Sequence, residues 1–310
     1  MKKIITIIIT YNGMKWIKDC IDSLQNSNYP TDIIVIDNGS TDQTTQFIKD
    51  NYTNIKLIIN QENLGFGKAN NIGISHGIRL NYDYFFLLNQ DAWIFENTLQ
   101  NLLHNMETNP DYGIISPIQL QKNLEVESIF KSYIKKYNAL LKPFEKNKIL
   151  DNKVLTTDFT NAAMWFISKE CITKTGGFSP LFYHYGEDAD FINRTKYHGF
   201  KNGVSTNAFG IHDRYTKPKL SVKEYNKKKQ HPGPWPLKYF LILSNINISF
   251  PLSLIKSLQL FYTSLFKHII KLNWFSVKYD FIVIYKVLKK TIYIYRLRKK
   301  LKNSQSLFLD

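Results

Sequence analysis

Cysteine is scarce in this 310-residue chain, which contains only Cys20 and Cys171. Two cysteines are too few for the disulfide framework of a small secreted protein, so we expect a reducing compartment. Long apolar runs are also missing, since none reaches the roughly 18 residues that a membrane-spanning helix needs. The run Ile4–Thr10 follows two lysines, but Tyr11-Asn12-Gly13 comes next instead of a small-residue cleavage site. A first β-strand is therefore predicted there, not a signal peptide.

Acidic residues are rare in the last third of the chain. Residues 215–310 contain 19 Lys and Arg but only three acids, Glu224, Asp280 and Asp310. Residues 1–214 hold 22 basic and 22 acidic residues, so the whole formal charge of +16 belongs to the last third. This asymmetry predicts a boundary near residue 215 and an anionic partner for the part that follows it.

Short β-branched runs alternate with segments of helical spacing over the first two thirds. Strands are predicted at Ile4–Thr10, Asp32–Ile36, Ile55–Ile59, Tyr84–Leu88 and Thr160–Ser168, and helices at Trp16–Leu24, Thr44–Lys49, Lys68–Gly77 and 187–198. This alternation predicts an α/β fold whose central, mostly parallel sheet is flanked by helices. The pattern weakens between Gln119 and Lys153, where lysines and aromatic residues leave open a lid, an acceptor-facing insertion or a solvated helix.

Two acidic clusters suggest chemistry. Asn89-Gln90-Asp91 closes the fourth strand, at the end of a strand where α/β sheets bind ligands. Glu187 and Asp188 open a helix about a hundred residues later. One cluster could hold a metal on a phosphate while the other removes a proton, which suggests group transfer from a phosphate ester. Asp190 and Arg194, four residues apart, are better explained as a helix-face ion pair.

Several ordered motifs resemble the inverting glycosyltransferases of family 2, with the nucleotide-sugar-binding GT-A fold, and within them the bacterial polysaccharide and rhamnosyltransferase-like members. The resemblance covers roughly residues 3–215, and agreement among several motifs is more specific than any single match. The matching segments are Thr10-Tyr11-Asn12, Asp37–Asp42, Asn63–Gly73, Asn89-Gln90-Asp91 and the stretch from Gly176 through Glu187-Asp188 to Gly199.

The resemblance implies a role for each matching residue. The nucleotide would lie against Thr10, Tyr11, Asn12, Asp37 and Asn38, and the ribose and diphosphate along Gly65, Gly67 and Asn71. Mn²⁺ or Mg²⁺ would be bound by Asp91, with His212 as a further ligand; Asn89 replaces the first acid of the usual DxD motif and could bind through its amide oxygen. Asp188 would deprotonate the acceptor hydroxyl, with Glu187 beside it as the nearest alternative base.

The basic last third has an amphipathic layout. Lys256, Gln259, Thr263, Lys267, Lys271 and Lys278 recur at helical steps with apolar residues between them. This predicts one basic amphipathic helix on an anionic membrane surface. A docking helix in a homo-oligomer remains open, whereas nucleic acid would suit a more uniformly charged segment.

These observations predict a catalytic domain over residues 1–215, a linker over 216–236 and a basic helical region over 237–310. The predicted activity is metal-dependent transfer, with inversion, of a hexosyl or deoxyhexosyl group from a UDP- or dTDP-sugar to a hydroxyl of a glycan or lipid-linked acceptor. Bacterial surface polysaccharide synthesis on the cytoplasmic face of the membrane is the expected setting. An inactive scaffold that docks a partner through its tail is the alternative. A nucleotidyltransferase would normally have a basic, glycine-rich loop after the first strand, which this chain lacks.

Overall fold

A computed structural model of the chain describes residues 1–137, 153–214, 236–303 and 305–309. Most of the expected linker, 216–235, and part of the expected insertion, 138–152, lie outside these ranges. The chain divides into two compact units, Met1–Arg214 with Gln305–Asp310, and Tyr215–Ser304.

The first unit is built on one sheet. Its strands in the described residues are β1 Ile4–Thr10, β2 Asp32–Asp37, β3 Lys56–Ile59, β4 Tyr84–Asn89, β5 Ala92–Ile94, β6 Tyr112–Leu120, β7 Val154–Thr156, β8 Met164–Ser168 and β9 Lys201–His212. Its helices are α1 Ile17–Gln25, α2 Thr44–Asn51, α3 Phe66–Arg79, α4 Thr98–Thr108, α5 Ser128–Tyr133, α6 Lys169–Thr175 and α7 Glu187–Tyr197. The strand order is β3-β2-β1-β4-β8-β6-β9-β5, and β7 pairs with β9.

The sheet combines a parallel part with antiparallel additions. Strands β3, β2, β1 and β4 are parallel neighbours, and β6 is parallel to β9. Strand β8 lies antiparallel between β4 and β6, and β5 and β7 run antiparallel to β9. The predicted α/β fold with a mostly parallel sheet is confirmed. The parallel register brings the carboxyl ends of β1, β2 and β4 to one edge, where the first candidate motifs follow.

Strand β1 is buried on both faces, as its run of isoleucines predicts. Ile4 and Ile8 enter one apolar core, and Ile5 and Ile7 enter the other. All four side chains are at most 2% exposed. A strand sandwiched in this way is held in register, because a slip of one residue would exchange its two faces. The loop after β1 therefore starts from a fixed point.

The second unit contains three described helices, α8 Leu237–Ser244, α9 Phe250–Ile270 and α10 Trp274–Asn303. Buried Arg298 on α10 donates hydrogen bonds to the carbonyls of Leu243, Asn245 and Ile248, and so fastens the loop between α8 and α9. Within the described ranges, no helix combines the length and the apolar character needed to cross a bilayer.

Two predicted elements differ from the structure. The fifth predicted strand begins at Met164 and not at Thr160, whose hydroxyl instead accepts a hydrogen bond from Trp165 Nε1 at 3.0 Å. The prediction of a single amphipathic helix through Lys278 is wrong, because a turn at residues 271–273 separates α9 from α10. Leu272 has a φ of +51° there, and Asn273 Oδ1 caps α10 by accepting from the N–H of Ser276 at 3.0 Å.

Candidate active site

A cleft of about 480 Å³ opens at the carboxyl ends of β1 and β4. Residues from four separate motifs line it together with Tyr183 and His184, which precede α7. Those that the sequence predicted as ligand-binding are Thr10, Tyr11, Asn38, Gly65, Asn89 and Asp91. Asn12, Asp37, Gly67, Asn71, Glu187, Asp188 and His212 are not among the residues that line this cleft. Six of the thirteen predicted site residues therefore line this cleft, and the other seven lie outside its lining.

The loops after β1 and β2 are tied to each other by side chains. Asp37 is fully buried and accepts hydrogen bonds from Thr10 Oγ1 at 2.9 Å and from the N–H of Ser40 at 2.9 Å. Asn12 has a φ of +50°, and its Oδ1 accepts from the N–H of Thr41 at 2.8 Å. Both carboxylate oxygens of Asp37 are thus engaged, one by Thr10 at the end of β1 and the other by the loop after β2. These contacts brace the wall of the cleft; a contact between Asp37 and a nucleotide base stays a prediction.

Gln90 clamps the backbone of Tyr11. Its Oε1 accepts from the Tyr11 N–H at 2.9 Å, and its Nε2 donates to the Tyr11 carbonyl at 3.2 Å. A Cβ on Gly13 would lie 2.4 Å from Gln90 Oε1, so only glycine leaves room for this contact. Sequence reasoning missed this role, because the two residues in contact lie 79 positions apart in the chain. The clamp joins the loop that carries Tyr11 to the strand end that carries Asp91.

The third motif supports the opposite wall. Gly65 immediately precedes α3 and has a φ of +80°, and a Cβ there would lie 2.5 Å from the Tyr183 carbonyl oxygen. Asn71 uses its whole amide on the backbone of Phe178, accepting from its N–H at 2.7 Å and donating to its carbonyl at 2.9 Å. Gly67 packs against the same residue, whose Cβ would be 2.9 Å from an added Cβ. The motif thus fastens α3 to the segment that leads into α7.

Asp91 and His212 meet because β5 pairs antiparallel with the end of β9. His212 Nε2 lies 3.5 Å from Asp91 Oδ1, and the Asp213 N–H donates to the Asp91 carbonyl at 2.8 Å. The other ring nitrogen of His212 lies 3.3 Å from Gln119 Oε1. When Nδ1 donates to Gln119, Nε2 keeps its lone pair on the side of Asp91.

This pair fits a divalent cation of the Mn²⁺ type. A carboxylate oxygen and an imidazole nitrogen are suitable ligands, and phosphate oxygens of a bound donor could complete the coordination. Among the described residues, no group of three or more His, Cys, Asp and Glu side chains is positioned to hold a metal. Asp91, which lines the cleft, and the adjacent His212 could therefore supply two ligands, and their binding of a metal stays a prediction.

Glu187 and Asp188 form the first turn of α7, as predicted. Glu187 is 7% exposed, and its Oε2 has no hydrogen-bond partner among the described residues. Burial raises the pKa of Glu187 to about 7, and the nearby charge of Asp188 adds to the rise. Burial also raises the pKa of Asp188, whose side chain accepts from the N–H of Ala189 at 2.8 Å. The helix thus presents a half-buried carboxylate whose affinity for a proton exceeds that of an ordinary aspartate.

Arg214, which no sequence motif singled out, is an electrostatic neighbour of Asp188. Its positive charge opposes the burial-induced rise in the pKa of Asp188. Its Nε lies 3.5 Å from Oε1 of Glu127, which caps α5 by accepting from the N–H groups of Ile129 and Phe130. Arg214 follows His212 by two residues, so the end of β9 contributes to both groups of candidate residues.

The predicted ion pair of Asp190 and Arg194 is confirmed, and it is buried. Arg194 Nε lies 2.8 Å from Asp190 Oδ2, with both side chains at most 2% exposed. Arg194 Nη1 also donates to the carbonyl of Thr175, at the end of α6, at 2.7 Å. The pair therefore anchors α7 to α6 and belongs to the support of the site.

Comparison with known proteins agrees with this geometry. A profile of glycosyl transferase family 2 matches residues 5–172. The teichoic acid poly(glycerol phosphate) polymerase of Staphylococcus epidermidis is 31% identical over 123 residues, which cover 38% of this chain and 16% of the polymerase. The poly(ribitol-phosphate) β-N-acetylglucosaminyltransferase TarS of Staphylococcus aureus is 27% identical over 107 residues, or 33% of this chain and 18% of TarS. The matches thus span less than a fifth of either relative.

Solved structures share the fold at low identity. The crystal structure of S. aureus TarS residues 1–349 in complex with UDP has a TM-score of 0.53 and 16% identity, covering 81% of this chain and 68% of that one. The mannosyltransferase of Pyrobaculum calidifontis in complex with GDP-Man and Mn²⁺ has a TM-score of 0.51 and 16% identity, covering 94% and 87%. With the profile match over more than half of its length, this chain belongs to glycosyl transferase family 2 and has the GT-A fold.

Proposed function

We propose that the chain transfers a sugar, with inversion, from a UDP- or dTDP-sugar to a hydroxyl of a glycan or lipid-linked acceptor. The observation that supports this best is the convergence of four motifs, far apart in sequence, on one cleft at the end of the parallel strands. Ligands of α/β sheets bind at that edge. TarS crystallised with UDP and the mannosyltransferase with GDP-Man, so proteins of this fold bind nucleoside diphosphates and nucleotide sugars.

The donor would lie between the clamped loop of Tyr11 and the wall at Gly65. Tyr11 is 46% exposed and offers its ring to a nucleotide base or ribose. Asp91 and His212 would hold a divalent cation, whose charge would stabilise the diphosphate as it leaves. Asn89 lines the same cleft and could contribute its amide oxygen without adding charge. A neutral Asn in place of the first acid would make the affinity for the metal modest.

Asp188 would act as the base. The acceptor oxygen forms its bond to the anomeric carbon on the face opposite the nucleoside diphosphate, and the bond to the leaving phosphate oxygen breaks with its electron pair. The hydroxyl proton passes to the Asp188 carboxylate. A raised pKa suits this task, because the carboxylate then binds the proton more strongly, while Arg214 keeps the charged form available. Glu187 is the alternative base, although its pKa of about 7 leaves about half of the Glu187 side chains protonated near neutral pH.

The polymers named for the relatives support bacterial surface polysaccharide as the setting. The second unit would hold the enzyme on the anionic inner face of the cell membrane, where it would meet a lipid-linked acceptor. Salt should then weaken binding to anionic vesicles, and deletion of residues 237–310 should abolish it. A homo-oligomer that buries the helices is the alternative, and salt-insensitive association would favour it.

Sugar transfer by an Asp188→Asn variant is the test of the proposed chemistry. Purified protein is incubated with UDP- and dTDP-sugars and extracted glycolipid acceptors, and release of the nucleoside diphosphate is measured. We expect a loss of about 10²-fold or more in turnover, with donor affinity retained. Asp158→Asn is the matched control, since the side chain of Asp158 is 95% exposed. Full activity of Asp188→Asn would contradict the mechanism. If activity were lost only in Glu187→Gln, the base would be Glu187 instead.

A further inference from the structure

The turn between α9 and α10 exposes a compact group of large apolar side chains. In residues 266–275, here named the hairpin tip, the exposed fractions of six large apolar residues range from 41% at Ile269 to 73% at Leu272. The members of this group are Phe266, Ile269, Ile270, Leu272, Trp274 and Phe275. A dense cluster of this kind on a protein surface indicates a site of interaction.

The hairpin tip is held in a defined shape. Asp280 on α10 reaches back to α9, where its Oδ2 lies 2.7 Å from His268 Nδ1 and its Oδ1 accepts from Ser264 Oγ at 2.9 Å. Asn273 caps the start of α10, and its N–H donates to the carbonyl of His268 at 3.0 Å. The apolar group is thus presented by a cross-linked turn with fixed geometry.

Charge indicates which partner would cover this surface. Residues 236–303 contain thirteen Lys and Arg but a single acid, Asp280, which is 6% exposed and occupied by the contacts above. The described part of this unit therefore shows apolar and cationic groups but no exposed carboxylate. Exposed Lys267 and Lys271 lie within the hairpin tip, and Lys278 follows it. A second copy of the chain would bring like charges together, whereas a bilayer of anionic phospholipid offers apolar chains beneath negative headgroups.

We infer that the hairpin tip inserts into the interface of an anionic lipid bilayer, with Lys267, Lys271 and Lys278 at the headgroup phosphates. Trp274 sits among these residues, and tryptophan favours the boundary between headgroups and acyl chains. This inference deepens the membrane association proposed above, since it assigns the contact to the tip and not to the length of α10. It makes no use of the sugar-transfer site.

Vesicle binding by two matched variants of the full chain tests the inference. The tip variant is Ile270→Gln/Leu272→Asn, in which Asn suits the left-handed backbone at position 272. The control variant is Leu288→Gln/Ile292→Gln, which removes two side chains that are 62% and 67% exposed on α10, away from the turn. Sedimentation is measured with vesicles of phosphatidylcholine and phosphatidylglycerol, and with phosphatidylcholine alone.

We expect the tip variant to bind the anionic vesicles at least tenfold more weakly than the wild type, and the control to stay within threefold. Vesicles with brominated acyl chains should quench the wild-type fluorescence more than that of Trp274→Phe. Equal losses of vesicle binding in the tip and control variants would overturn insertion at the tip. They would indicate that the helices adsorb flat on the bilayer instead. Absence of vesicle binding, or a dimer in ultracentrifugation that only the tip variant disrupts, would overturn both insertion and membrane association. None of these outcomes bears on nucleotide binding, which is measured separately.

Discussion

Gln90 and Tyr11 form two hydrogen bonds that join the end of β4 to the loop after β1. The side-chain amide pairs with both the N–H and the carbonyl of Tyr11, at 2.9 and 3.2 Å. Tyr11 and Asp91 line the same cleft, and Gln90 lies directly beside Asp91 in the chain. The clamp therefore fixes the distance between the candidate nucleotide-binding loop and the candidate metal ligand.

Gln90→Ala should weaken nucleotide binding without unfolding the protein. The two lost hydrogen bonds contribute about 0.5–1.5 kcal/mol each, or about 1–3 kcal/mol together, so we expect the Kd for the preferred nucleoside diphosphate to rise by about 5- to 150-fold. Calorimetric titration measures this change. Gln46→Ala serves as the control, because Gln46 bonds to Asp50 on an exposed face of α2. An unchanged Kd in Gln90→Ala would show that the clamp does not position the site.

Removal of the Asp91 carboxylate should separate metal-dependent from metal-independent binding. In Asp91→Asn we expect the increase in nucleotide affinity on addition of Mn²⁺ to fall by about tenfold or more, while the affinity without metal stays the same. His212→Gln should cause a smaller loss, since a neutral ligand contributes no charge. The measurement is titration of the nucleotide with and without Mn²⁺. Equal Mn²⁺ enhancement in Asp91→Asn and wild type would remove the assigned role of Asp91.

Glu187 should make the protein less stable as the pH rises. Its folded pKa of about 7 exceeds the ordinary value of 4.5, so the folded state holds a proton that the unfolded state loses between these values. Stability from this group is complete below pH 4.5 and is lost as the pH rises through 7. Glu187→Gln should therefore be more stable than the wild type at pH 8.5, by about 3 kcal/mol at most, and the gain should shrink at pH 5.

Denaturant unfolding at both pH values measures this effect. Glu170→Gln is the control, because the Glu170 side chain is 65% exposed and pairs with Lys174 on the surface. The control should show little dependence on pH. If Glu187→Gln were less stable than the wild type at both pH values, the buried carboxylate would be contributing favourable contacts in its charged form.

Much of the fold follows from local sequence patterns. The isoleucines of β1 and the apolar run of β4 predict buried strands, and both lie inside the sheet, between β2 and β8. The break between α9 and α10 does not follow from periodicity. Its left-handed Leu272 is an unusual residue for that conformation, and tertiary contacts of Asp280 hold the turn.

The candidate site was predictable only in part. The strand pattern alone assigned Asp91 to the end of β4, where α/β sheets bind ligands, whereas the role of Thr10 came only from the resemblance to the family. The clamp of Gln90 and the neighbourhood of Arg214 and Asp188 depend on contacts between residues that are distant in sequence. Asp37 illustrates the same limit, since its burial and its hydrogen bond from Thr10 on the neighbouring strand are visible only once the chain is folded.

Binding of nucleoside diphosphates to the cleft tests the central claim most directly. UDP, dTDP and GDP are titrated into the full chain, with and without Mn²⁺, and into Tyr11→Ala. The matched control is Tyr197→Ala, since Tyr11 and Tyr197 are 46% and 38% exposed but only Tyr11 lines the cleft. We predict that a pyrimidine diphosphate binds most tightly, that Mn²⁺ strengthens this binding, and that only Tyr11→Ala weakens it. If none of the three nucleotides binds the wild-type chain, or if both tyrosine variants behave alike, the cleft is not the donor site and the account is contradicted.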